Sequence, residues 1–118
     1  MGAGGFSTAY ECMSKLDPKR PNVAVKITVR AELQRDDEAS IRREVDIMRQ
    51  LNHPNIVGFV DFFEDEANFY TVLELVQRGE LFDRIVQKQC YSEREARDVV
   101  FAILQGIKAC HDRNIVHR

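Results

Sequence analysis

The sequence predicts an α+β fold in which an antiparallel sheet is interrupted by one helix and then followed by helices only. Three observations carry this. VAVKI (23–27) has the period of a strand, with β-branched Val23, Val25 and Ile27 on one face and Ala24 and Lys26 on the other. Ile41, Val45, Met48 and Leu51 recur at steps of four, three and three, the spacing of a helical stripe. SEREARDVVFAILQGIKACH (92–111) reads as a long helix opened by a capping box, Ser92 and Glu95.

The remaining elements fall between these. Residues 1–7 are glycine-rich, residues 8–13 alternate weakly, and LDPKRP (16–21) is a turn-rich connection. The helix predicted over Asp37–Leu51 is closed by NHPN (52–55), where Pro54 cannot continue it. IVGFVDFF (56–63) and FYTVLEL (69–75), joined by the acidic turn EDEAN, form an antiparallel hairpin by pattern. After VQRGE (76–80), GELFDRIVQ begins a short helix. The long helix then carries Ala96, Val99, Val100, Ile103, Leu104 and Ile107 along the stripe expected to be buried. The best internal boundary lies near Gln77–Gly79.

Composition narrows the function classes. The chain has 118 residues, 44% of them hydrophobic and 31% charged, with a net charge of −2. That balance gives no general pull toward nucleic acid or an anionic membrane, and no apolar run approaches the roughly 20 residues of a membrane span. Cys12, Cys90 and Cys110, like His53, His111 and His117, are scattered without metal-ligand spacing, so no metal site is expected among them. Unpaired thiols point to a reducing compartment, cytoplasm or nucleus.

The polar residues inside the apolar patterns are the candidates for chemistry. Lys26 shares its strand face with a small alanine, and is either a solvated edge residue or a cation aimed at something negative. Glu44, three residues after Ile41 and four before Met48, is expected on the inward stripe of its helix, where a carboxylate needs a partner. Arg42, Arg43 and, across the helix–sheet contact, Lys26 are the candidates. GAGGFS (2–7) has glycines at 2, 4 and 5, which let backbone amides approach an anion.

The order of these motifs resembles the eukaryotic protein kinase domain. Gly2-Ala3-Gly4-Gly5-Phe6-Ser7-Thr8-Ala9 is similar to the family's G-x-G-x-x-G-x-V phosphate loop, VAVK (23–26) to its V-A-I-K strand, and Glu44 in REVDIM to the carboxylate of helix C. HPNIV (53–57) resembles the entry to the fourth strand, VLELV (72–76) the strand leading into the interlobe hinge, and RGELFDRI (78–85) the first helix of the larger lobe. The terminal IVHR, with His117 and Arg118, resembles the opening of the catalytic H-R-D-L-x-x-x-N loop. The resemblance implies that Gly2, Gly4 and Phe6 cover the phosphates of ATP and that Lys26, held by Glu44, contacts the α- and β-phosphates. It implies that Ala9 and Ala24 roof the adenine, that Leu73 sets the depth of the pocket, and that Glu74 and Val76 present hinge backbone groups. Leu81 would close the pocket floor, and Glu80 would bind ribose or a basic residue of a peptide substrate. Met48, Phe59 and His117 match members of an apolar stack that couples the lobes. Ser7 replaces the third glycine and Ala9 the larger valine, which thins the adenine roof. Ser7, RGELFDRI and the stretch from Ala96 to Arg118 look most like the calcium/calmodulin-dependent and calcium-dependent kinases.

The expectation is therefore a partial serine/threonine kinase domain. Residues 1–76 are expected to form the small lobe, its first strand missing apart from Met1, and residues 77–118 the hinge and the start of the large lobe. The resemblance implies ATP, Mg2+ in the complete domain, a protein substrate, and calmodulin or a calcium-binding segment outside these residues. The aspartate expected after Arg118 and the magnesium-binding residues further on are not among the 118. Residues 1–118 alone are expected to be inactive, with the apolar stripe over 96–107 left exposed. The alternative is a non-catalytic regulatory or pseudokinase-like binding fragment.

Overall fold

A computed structural model describes residues 3–4 and 7–117. The chain divides into two compact units, one made of residues up to Asn52 together with Val57–Leu75, the other of His53–Ile56 and the residues from Val76 onward.

The first unit is a five-stranded antiparallel sheet with one helix. Its strands are β1 (Ala3–Gly4), β2 (Ser7–Cys12), β3 (Val23–Val29), β4 (Phe59–Glu64) and β5 (Asn68–Glu74), in the spatial order β1-β2-β3-β5-β4. The short strand β1 lies within the glycine-rich residues, where Ala3 and Gly4 pair with Thr8 and Ser7. β3 outruns the VAVKI pattern by two residues because Thr28 and Val29 still have partners, Phe69 and Asn68. The predicted hairpin forms from Phe59, not Ile56, and a register shift between Phe59 and Asp61 bends the start of β4.

Helix α1 (Asp37–Gln50) follows a short 3-10 turn at Arg30–Glu32 that the periodicity did not reveal. Val45, 3% exposed, is its one buried residue, and Phe69 on β5 is fully buried. Cations surround this apolar centre. The guanidinium of Arg30 lies 4.7 Å from the Phe69 ring centre and that of Arg42 5.4 Å from it, while Arg49 lies 5.3 Å from the Phe59 ring. Their carboxylate partners fasten the helix further. Arg30 donates to both oxygens of Glu38 at 3.1 and 3.2 Å, and Arg42 Nη2 stands 2.8 Å from Glu64 Oε2.

The second unit contains α2 (Leu81–Lys88) and α3 (Glu93–His111). Gly79, at φ +67°, supplies the left-handed turn ahead of α2 that a side chain would strain. The capping box forms as the sequence predicts: Ser92 accepts from the Glu95 amide, and Glu95 accepts from the Ser92 amide at 3.0 Å. Lys88 also pairs with Glu95, joining the two helices. Gly106 is buried against the 53–56 segment, where Asn55 Nδ2 donates to the Ala102 carbonyl at 2.9 Å and to Gln105 Oε1 at 3.3 Å. The apolar stripe of α3 is open among the described residues, as expected for residues 1–118 alone. Val100 is 53% exposed and Leu104 56%. α3 meets α2 through Glu95 and the 53–56 segment through Ala102, Gln105 and Gly106.

Candidate functional site

The register of the sheet decides which side chains share a face. Lys26 lies opposite Ala9 on one side and Thr71 on the other; Ala24 lies opposite Glu11 and Leu73; Thr28 lies opposite Ser7 and Phe69. Cross-strand partners point to the same face. Ala9, Ala24, Lys26, Thr71 and Leu73 are therefore gathered on one side of the sheet, the side on which α1 brings Glu44 to Lys26. The two alanines leave room beside the lysine.

Lys26 Nζ stands 3.9 Å from Glu44 Oε1, with the side chains 41% and 56% exposed. Both groups line a small pocket of about 50 Å³ together with Thr28, Val45, Met48, Thr71 and Leu73. Of the partners open to Glu44, Lys26 is the one it meets, but the expectation that the carboxylate is buried is corrected. The helical wheel gives the reason. At about 100° per residue, Glu44 lies one step round from Val45, on the flank of the inward stripe rather than its centre. A half-exposed pair at this separation contributes about 0–1 kcal/mol to stability. Its consequence is geometric: it presents an ammonium group at the mouth of a pocket, with an acid fixing its direction.

Ser7 closes the same face at its upper end. Its Oγ lies 2.7 Å from Thr28 Oγ1, so the residue standing where the resemblance expects a glycine ties β2 to β3. Gly4 sits in β1 opposite Ser7. Gly2, Phe6 and Arg118 lie outside the described residues.

Glu74 ends β5 with an arrangement that sequence reasoning missed. Its amide donates to the Gly58 carbonyl at 2.8 Å, and its carboxylate accepts from the Gly58 amide at 2.9 Å. A β-carbon on Gly58 would come within 3.3 Å of that carboxylate, so the glycine is what lets it approach. A glycine next to the strand's first apolar residue was the available signal. Met48 and Phe59, both partly exposed, belong to the first unit. The remaining predicted residues belong to the second: Val76 and His117 are exposed, Glu80 precedes α2 without capping it through its side chain, and Leu81 is the first residue of α2.

The electrostatics of the first unit are set at the far end of the hairpin. The hydrogen bond from Arg42 holds the Glu64 carboxyl below its ordinary range. Asp65 is lowered by the Tyr70 hydroxyl first and then by the amides of Asn68 and Ala67. Among the described residues no three of His, Cys, Asp and Glu gather as metal donors, so the residues described do not fit a magnesium site.

Comparison with known proteins agrees with this geometry. The sequence profile of the protein kinase domain matches residues 1–118. Myosin light chain kinase A of Dictyostelium discoideum is 41% identical over the whole chain, which covers 39% of that protein. Calcium/calmodulin-dependent protein kinase type 1 of Macrobrachium nipponense is also 41% identical, with 34% of its length covered. Calcium-dependent protein kinase 24 of Arabidopsis thaliana is 42% identical, with 20% covered. The chain thus spans about two fifths or less of these relatives. Among solved structures, Rad53 1–466 in complex with AMP-PNP superposes with a TM-score of 0.90 at 31% identity, covering all of this chain and 31% of that one. The sheet with its single helix, the lysine–glutamate pair across them and the profile match over every residue converge: the chain belongs to the protein kinase domain family, and its relatives lie among the calcium- and calmodulin-dependent serine/threonine kinases.

Proposed function

We propose that this chain supplies the nucleotide-binding part of a serine/threonine protein kinase, in which the γ-phosphate of ATP passes to a protein hydroxyl. The observation that carries the reading is the Lys26–Glu44 pair, set on the same sheet face as Ala9 and Ala24. A cation held by an acid beside two small side chains suits an anionic ligand with a flat apolar base. When bound, ATP supplies the phosphoryl group. The residues of this chain bind and orient it: Lys26 neutralises charge on the α- and β-phosphates, Glu44 keeps the ammonium turned toward them, and Ala9 and Ala24 face the adenine. Gly2, Gly4 and Phe6 cover the phosphates, Leu73 limits the depth, Glu74 and Val76 meet the adenine edge, and Glu80 and Leu81 complete the ribose side and floor. His117 and Arg118 open the catalytic loop.

On this reading the contribution of residues 1–118 is to bind and orient ATP. The protein substrate, and control by calmodulin or a calcium-binding segment lying outside these residues, follow the calcium/calmodulin-dependent and calcium-dependent kinases to which the chain is similar. The test is ATP-analogue binding to the full chain, compared with Lys26→Ala and Glu44→Gln. Removing the lysine is expected to weaken binding about tenfold or more and removing the acid severalfold, as befits a charged contact and its orienting partner. Unchanged affinity in folded Lys26→Ala overturns the reading.

A further inference from the structure

The Lys26–Glu44 pair is too loose to place its own helix. Its atoms are 3.9 Å apart and both side chains are about half exposed. α1 buries only Val45. Something else sets how far the helix is rolled about its axis, and that roll decides whether Glu44 reaches Lys26. At about 100° per residue, Glu44 stands about 100° from Val45 on one flank, and Arg42 about 60° from it on the other. Arg42 is also the residue most tightly tied to the sheet on that flank. It meets Glu64 at 2.8 Å, and its guanidinium lies 5.4 Å from the ring centre of fully buried Phe69. A roll that carried Glu44 away from Lys26 would have to stretch or crush the Arg42–Glu64 contact.

We propose that Arg42 and Glu64 are positioning residues for the Lys26–Glu44 pair, fixing the roll of α1 from the opposite flank of Val45. The consequence for nucleotide binding rests on the reading of Lys26 given above; the coupling itself does not. Glu64 lies at the end of β4, next to the turn that leads into β5, so the Arg42–Glu64 pair links that turn to α1, alongside Arg30, which donates to the Asp65 carbonyl and to Glu38.

The experiment is the acetylation rate of Lys26 in the full chain without nucleotide, read by peptide mass spectrometry after a brief pulse of an N-hydroxysuccinimide acetate, with Lys88 as internal reference. Arg42→Glu is expected to raise the Lys26 rate about threefold, the effect of freeing a partly exposed ion pair. The charge-exchanged double variant, Arg42→Glu with Glu64→Arg, is expected to return it to the starting value. In a Glu44→Gln background, Arg42→Glu is expected to add nothing, which separates control through Glu44 from general loosening. No rise in folded Arg42→Glu, a rise that persists in the Glu44→Gln background, or a failure of the exchange to restore fold and rate would each overturn the proposal. Because no nucleotide is present, this outcome is independent of whether Lys26 contacts ATP.

Discussion

A lysine and a glutamate 3.9 Å apart in partly open surroundings give direction more than stability, and this difference governs what substitutions at the site do. The sequence identified both residues from their places in the strand and helix patterns. It could not grade their burial, because one helical step separates the centre of an apolar stripe from its wet flank. It also left Arg42 and Arg43 as partners for Glu44, although residues one or two apart on a helix do not face each other; the structure sends Arg42 to Glu64. The opposite case is Glu95, whose local bonds were legible as a capping box. Its carboxyl is lowered from 4.5 to about 2, by Lys88 first and then by the Ser92 amide and hydroxyl. A carboxyl depressed by folding stabilises fully above its unfolded value and loses that contribution as the pH falls through the folded value. Stability should therefore decline between about pH 5 and about pH 2, and Glu95→Gln should flatten part of that decline. Urea midpoints at several pH values, followed by far-ultraviolet circular dichroism, check this; identical pH slopes for the two proteins would contradict it.

Among the elements, β3 and α3 were the most legible, since one has strict alternation and the other a cap with long apolar recurrence. The start of β4 was misplaced because Ile56 and Val57 continue an apolar run while the backbone has already turned, with the Ile56 amide bonded to the His53 carbonyl at 3.1 Å. Pattern alone does not register such a turn. Nor does it show that Gly106, inside an uninterrupted helix, is buried against the 53–56 segment. A β-carbon there would lie 3.2 Å from the Asn55 carbonyl oxygen, and Asn55 is itself held by two hydrogen bonds to α3. Gly106→Leu should cost about 1–3 kcal/mol through overpacking, despite the better helix propensity of leucine. Chemical denaturation measures it; a stabilised variant would show that the 53–56 segment yields freely.

For the whole molecule, the order of elements was readable because each has its own period, and the family because seven short motifs occur in one sequence order. Among the described residues the buried apolar side chains, Val45, Phe69 and Val72, all lie in the first unit. That is the unit on which the functional reading depends, and Lys26 is the residue it makes most specific. An ATP derivative carrying a reactive acyl group on its terminal phosphate transfers that group to an amine lying against the phosphates. Treatment of the full chain with this reagent, followed by peptide mass spectrometry, is predicted to modify Lys26 and to be blocked by excess ATP. Modification spread over surface lysines such as Lys15, Lys19 and Lys88, with Lys26 untouched and no protection by ATP, would contradict the account.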